Sequence, residues 1–301
     1  MIVNFRRAWP DELELLQRRF RLPVTLDENI SWSVVCDTSP RERPLGVVVI
    51  ARALNEAGTV ARAALFWRML PAYQKSDIER DLLLFALSET ADDGVHSLFS
   101  FAALPATSPA SKMLQSLGFT VTEQTDEFEA PFSAVWERCQ RVYRLLGRRK
   151  AIPPGARIGP FEKKLLPDIR AIFQNTRIMG SLEFDARMSP FHDEPIDLER
   201  STAILQNDQL IGAMLVSPSK LGHVYTVPAR WVAKGHRHSW VNAVLIHNSV
   251  RQGVPLALDR VRFVANRENH KETAALAANL GSLQVRSLQR FGINLVGGQF
   301  P

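Results

Sequence analysis

Residues 226–250 read TVPARWVAKGHRHSWVNAVLIHNSV. An apolar, β-branched stretch ends near Thr226-Val227-Pro228, a basic loop Lys234-Gly235-His236-Arg237-His238 follows, and Ser239 caps a helix. This order constrains the fold more than any other feature of the chain. A strand that feeds a glycine-containing turn and then a helix brings free helical N–H groups beside a cluster of cations, which is an anion site. The order occurs twice. Residues 69–87 repeat it in weaker form about 160 residues earlier. Pro71, Gly94-Val95 and Gly118 in the first copy answer Pro228, Gly253-Val254 and Gly281 in the second. A regular offset through those landmarks predicts an internal duplication.

The length of 301 residues suits two domains of about 150 each. With 46% apolar and 23% charged residues, each half can bury a core without staples. The two cysteines, Cys36 and Cys139, lie far apart and lack metal-ligand spacing, so they read as buried thiols in a reducing compartment. The N-terminus becomes charged within its first residues, and no segment approaches the ~20 apolar residues of a membrane span. A cytoplasmic protein without a membrane partner is expected. A net charge of +6 permits an acidic ligand without requiring one. Residues 138–150, RCQRVYRLLGRRK, read as a solvated helix face whose terminal cations complement the helix dipole. Basic residues are not interleaved there with aromatics, so nucleic acid is not the expected partner. His236 and His238 alone make a poor metal site, and no Gly-x-Ser-x-Gly or Walker pattern appears, so no metal is expected.

Periodicity and punctuation give the element order. In the first half, strands are expected at 2–5, 31–37, 45–54, 59–70 and 97–102, with a turn at 55–58. Helices are expected at 10–20, 76–90 and 108–118, and closing strands at 120–125 and 127–131. A helix over 132–146 leads to a linker around Pro153-Pro154-Gly155. The second half repeats the order: a helix over 161–175, which Pro167 kinks or restarts, then an irregular acidic stretch over 181–197. A hairpin of 202–206 and 210–217 turns at Asn207-Asp208, and a strand at 222–227 enters the basic loop. A helix over 239–252, a strand at 260–265, a helix over 270–280 and a strand at 284–290 follow. The expected organisation is a mixed α/β chain of two tandem units, 1–147 and 158–301, joined by a linker at 148–157.

Met69-Leu70-Pro71-Ala72-Tyr73-Gln74 and Val227-Pro228-Ala229-Arg230-Trp231 resemble the strand-to-loop junction of the GCN5-related N-acetyltransferases. Leu114-Gln115-Ser116-Leu117-Gly118-Phe119 resembles the end of that family's penultimate helix, and Asn269-His270-Lys271-Glu272-Thr273 with Leu280-Gly281 is similar. The resemblance covers nearly the whole chain as a tandem pair of units, each a mostly antiparallel central sheet flanked by helices. It implies an acyl-CoA-dependent N-acyltransferase. Acetyl-CoA or another acyl-CoA would be the co-substrate and a small-molecule or peptide amine the acceptor, and a homo-oligomer is compatible with it. The resemblance sets the pyrophosphate on the loop and helix start, and the pantetheine between two splayed strands.

The family loop carries glycines where the backbone approaches the pyrophosphate. The first copy has Asp77 and Glu79 at those positions, where like charges repel a diphosphate by roughly 1–4 kcal/mol per pair near a surface. The first unit is therefore expected to be degenerate. The second copy keeps Gly235, one residue later than in the family pattern. Its expected cofactor-binding residues are Thr226, Val227, Lys234, Gly235, His236, Arg237, His238 and Ser239, with Asn269 and Thr273 from the later helix. The tyrosine that the family often uses as an acid on its penultimate helix is replaced by Leu114 and Ala277. Tyr225 and His223, alternate residues of one strand, are the candidate catalytic groups. His192, Asp193, Glu194, Glu183 and Asp185 are candidates to line a site for a cationic amine. A non-catalytic binding protein on the same fold is the competing expectation.

Overall fold

The computed structural model describes residues 2–23, 30–37, 43–54, 60–176, 178–218, 223–237, 239–265, 273, 277–278 and 280–295. In chain order the elements are β1 Val3–Arg7, α1 Leu13–Phe20, β2 Ile30–Asp37, β3 Pro44–Leu54, β4 Val60–Met69, α2 Asp77–Asp92, β5 Ser97–Ser100, β6 Leu104–Pro105, α3 Pro109–Ser116 and β7 Thr120–Pro131. They continue with α4 Phe132–Arg148, β8 Ala156–Pro160, α5 Leu166–Asn175, α6 Ser181–Met188, β9 Thr202–Gln206, β10 Gln209–Pro218, β11 Val224–Val232, α7 Trp240–Gly253, β12 Arg260–Ala265 and β13 Leu283–Asn294. The expected turn at 55–58 and most of the expected helix at 270–280 lie outside the described residues.

Two compact units divide the chain: Met1–Gln124 with Ser287–Pro301, and Thr125–Arg286. The expected halves, 1–147 and 158–301 about a linker, run consecutively instead. The difference arises at two strands. β7 is one continuous strand where two were expected. Its residues from Asp126 to Pro131 pair with β12 in the second unit. The end of β13 pairs with β5 in the first unit, Gly292 opposite Phe99, and it buries Phe291 and Leu295 in that unit's core. Alternating apolar residues announce a strand, but they do not say which sheet it joins.

In the first unit the strand order is β1-β2-β3-β4-β5-β13-β7, with β4 and β5 parallel. In the second it is β7-β12-β11-β10-β9-β8, with β11 and β12 parallel. Both sheets are mostly antiparallel and covered by helices. Burial on both faces explains the unbroken apolar runs of the central strands. Val48 and Ile50 of β3 pack into the core that holds α2, while Val47 and Val49 pack with α1. In β10, Ile211, Met214 and Val216 face α4 and α7, whereas Ala213 and Leu215 face α5 and α6.

Local chemistry sets the turns and starts. Asn207 and Asp208 both take positive φ, 50° and 60°, as a two-residue hairpin with its inherent twist requires. Pro167 lies in the first turn of α5, so it starts the helix rather than kinking it. The stretch expected to be irregular contains α6.

Each unit seats its loop-following helix on a glycine. A Cβ at Gly46 would lie 2.0 Å from Met69 Sδ and 3.2 Å from Leu82 of α2. At Gly212 it would lie 2.7 Å from Val241 and 2.9 Å from Leu245 of α7. The missing side chains let α2 and α7 come down onto β3 and β10, which fixes where their N-termini stand. This matched device is structural support for the duplication.

Candidate functional site

The parallel ladder between β11 and β12 runs from Val224↔Arg260 to Val227↔Phe263 and stops. β11 continues to Val232, paired on its other side with β10. The strand was expected to end near Pro228, and it runs four residues further. The register with β10 shifts between Leu215↔Ala229 and Ser217↔Thr226, so Val227 and Pro228 together face Val216. This is a β-bulge, and a proline without an N–H is suited to it. The bulge reverses which side chains face α7. Tyr225 and Val227 do so before it, and Arg230 does so after it, while Ala229 packs on the α5 and α6 side. Beyond Val227, among the described residues, β11 and β12 have parted, and the backbone edge of β11 from Pro228 to Val232 has no β12 partner.

The end of β11 leads into the basic loop. Lys234, Gly235 and His236 form a short 3-10 turn, closed by the His236 N–H on Ala233 O at 2.7 Å. Lys234, Gly235 and Arg237 are exposed. A Cβ on Gly235 would meet nothing within 4 Å, so the space over this residue is open to close approach. Ser239 caps α7: its hydroxyl donates to His236 O at 2.8 Å and accepts the Val241 N–H at 3.3 Å. His238 and Asn269 lie outside the described residues.

A brace ties the strand to the helix start. The Arg230 guanidinium donates to Asn242 Oδ1 at 2.8 Å and to Thr273 Oγ1 at 2.9 Å. Thr273, expected at the cofactor site, is thus brought together with β11 and α7. Arg230 and Asn242 were not among the expected residues. Arg230 stands two residues after Pro228, and Asn242 three after the capping Ser239, and those offsets were the available signal.

In the first unit the same junction is already filled. Ser76 caps α2, and its hydroxyl accepts the Glu79 N–H at 3.4 Å. Glu79 is 9% exposed. Its carboxylate accepts the Lys75 backbone N–H at 2.5 Å and the Trp67 indole N–H at 2.8 Å. Asp77 is exposed to solvent. Of the two acids expected to oppose a diphosphate, only Glu79 is directed into the junction.

The opposite face of the second sheet carries charge. Arg262 of β12, in register with Thr226, donates to Glu129 at 2.7 and 2.9 Å and to Glu194 at 3.4 Å, and lies 3.5 Å from Glu127. Burial alone would raise the pKa of Glu129, but hydrogen bonds from Arg262 and Arg260 outweigh it and hold the carboxyl below its ordinary value. Beside Glu194, His192 Nδ1 accepts the Glu194 N–H at 3.0 Å. Burial, followed by the nearby Arg187, lowers the His192 pKa, so the ring is neutral at neutral pH. Glu183 and Asp185 are engaged elsewhere. Glu183 pairs with Arg187 along α6, and Asp185 ties α6 to Arg170 of α5 through two hydrogen bonds. Thr226 Oγ1 and Ser217 Oγ, opposite one another across β10 and β11, are buried without a hydrogen-bond partner.

Tyr225 and His223, the candidate catalytic pair, are not brought together. Tyr225 is 0% exposed, and its hydroxyl donates to Ser249 O at 2.9 Å. Its ring meets Phe132 edge-on, and burial pushes its pKa up. It is a core residue whose one polar atom is satisfied. His223 takes φ +92°, which breaks the strand alternation that would put both on one side. Its side chain is 68% exposed and stands 3.3 Å from Asp259. Leu114 and Ala277, expected at the positions of the family tyrosine, are buried at 0% and 1%.

No protein-family model and no curated protein matches the chain. Solved structures do. A tandem GNAT protein from the clavulanic acid biosynthesis pathway, determined without acetyl-CoA, is similar over 99% of this chain and 100% of its own, with a TM-score of 0.62 at 14% identity. A GCN5-related N-acetyltransferase from Sphaerobacter thermophilus is similar over 99% of this chain and 97% of its own, with a TM-score of 0.55 at 11% identity. One from Anabaena variabilis is similar over 98% and 73%, with a TM-score of 0.58 at 11% identity. At such identities the likeness is one of fold, and the fold is that of the tandem GCN5-related N-acetyltransferases.

Proposed function

We propose that this protein is an acyl-CoA-dependent N-acyltransferase whose second unit holds the acyl-CoA. The observation that carries the reading is the junction of β11 and α7. The two parallel strands part after Val227, and the freed edge of β11 leads directly to an open, cationic helix start. Lys234, Arg237 and the backbone around Gly235 and Ser239 would hold the pyrophosphate, with His236 beside them. Val227 to Val232 would flank the pantetheine, with Thr226 at the point of divergence and Thr273 contributing beside Arg230. The co-substrate supplies an activated acyl thioester.

The acceptor amine must be neutral when it attacks, having given up any extra proton to a base, and must lie within reach of the thioester carbon. In direct attack the N–C bond forms as the C–S bond breaks, and a proton passes from nitrogen to the departing sulfur by way of a base or solvent. We assign the acceptor to the α5 and α6 side of the sheet, where Glu129 and Glu194 present carboxylates around Arg262. Glu194 and the neutral His192 are the groups there able to hold a proton or orient an ammonium.

Calorimetry with acetyl-CoA tests this reading on the whole chain. The wild type should bind, and Gly235→Glu should weaken binding at least about fivefold, since the added charge repels phosphate by about 1–4 kcal/mol. The side chain has room, so folding should be unaffected. A wild type that takes up no acetyl-CoA would sink the proposal. A second reading, binding without turnover, is favoured by the burial of Tyr225 and by Leu114 and Ala277 at the family's tyrosine positions. It predicts acetyl-CoA binding with no thiol release across a panel of amines.

A further inference from the structure

The two strand-to-helix junctions carry the same brace with opposite charge. Equivalence comes from two independent registers. Trp67 of β4 and Arg230 of β11 each pair with the residue two beyond the seating glycine, Val48 after Gly46 and Met214 after Gly212. Glu79 and Asn242 each stand three residues after the serine that caps their helix, Ser76 and Ser239. In both units the strand residue donates to the helix residue, Trp67 Nε1 to Glu79 at 2.8 Å and Arg230 to Asn242 at 2.8 Å. The first pair combines a neutral indole with a carboxylate, and the second a guanidinium with a neutral amide.

We propose that this brace is a charge selector that assigns the phosphate-bearing co-substrate to one unit of the chain. In the second unit Arg230, held in place by Asn242 and Thr273, adds a cation behind the loop of Lys234 and Arg237 and acts as a binding residue for the pyrophosphate. In the first unit Glu79 serves as a built-in anion. Its two oxygens take the Lys75 N–H and the Trp67 N–H, donors that would otherwise face a bound oxyanion. A chain of two similar units therefore takes one acyl-CoA. The inference rests on the proposed use of the second unit and adds the residues that decide between the two.

A purely structural role is the competing explanation for Glu79, because a carboxylate three residues after a capping serine stabilises a helix start. The test separates the two by stoichiometry and affinity, which a cap alone does not move. Acetyl-CoA is titrated by calorimetry into the full chain, its Asn242→Glu variant and its Glu79→Gln variant. Both substitutions suit the first turn of a helix, so the variants should fold, which circular dichroism checks. The wild type should bind one equivalent. Asn242→Glu should weaken that equivalent at least tenfold, because it gives the second unit the acid of the first and engages Arg230. Glu79→Gln should leave it intact and add a second, weaker equivalent. Two equivalents in the wild type, an unchanged affinity in Asn242→Glu, or no second equivalent in Glu79→Gln would overturn the selector. A wild type that binds none overturns the functional reading instead.

Discussion

At the scale of single residues, burial decides which polar groups are available for chemistry. Tyr225 is a plausible acid by type, but its hydroxyl is sealed in the core and already donates to Ser249 O. Tyr225→Phe should therefore lower stability by about 1 kcal/mol, the net cost of losing one buried hydrogen bond, and should leave kcat for acyl transfer within about twofold. Denaturant melts and steady-state kinetics check the two halves of that statement. A large loss of kcat in a well-folded variant would return the hydroxyl to the reaction. Cys139 is similarly withdrawn, since burial pushes its pKa up to about 11 and keeps it a thiol at neutral pH. Glu79 and Arg230 are the reverse case. The sequence marks Glu79 by its place at a glycine position of the resembled loop and does not mark Arg230, and the partners of each decide what it does.

At the scale of elements, the site depends on how closely α7 approaches its sheet. Strand, basic loop and helix were legible from residues 226–250 because apolar runs, a glycine among cations and a capping serine are local signals. The end of β11 was not. Pro228 reads as a strand terminator, yet it occupies a bulge, and whether a proline ends a strand or bends it depends on the neighbouring strand. Gly212→Val tests the seat of α7. A Cβ there stands 2.7 Å from Val241, so the variant should lose about 1–3 kcal/mol by overpacking. It should also weaken acetyl-CoA binding as the helix start is lifted from the loop. A thermal melt and a binding titration check this, and a variant as stable as the wild type would mean that α7 does not rest on this glycine.

At the scale of the whole molecule, the duplication was visible in matched punctuation, but the ownership of the strands was not. The last strand of the chain completes the first unit, where the Phe291 N–H donates to Ser100 Oγ at 3.0 Å and the Leu295 N–H to His96 O at 2.8 Å. Deleting residues 287–301 should therefore destabilise the first unit by several kcal/mol, since it strips a fully buried Phe from the core. Limited proteolysis should then cut within residues 1–124 and spare 125–286. Cleavage confined to the second unit would refute the division.

The sequence by itself determined the mixed α/β class, the repeated order of elements, the place of the cationic loop and the acids that set the first copy apart from the second. These rest on periodicity, caps and charge, which act over a few residues. The tertiary structure alone decided which sheet each terminal strand joins, that Tyr225 and His223 point apart, and that the same brace joins Arg230 to Asn242 in one unit and Trp67 to Glu79 in the other. Those outcomes depend on partners distant in the chain, and a side chain's chemistry is fixed by the partner that folding gives it.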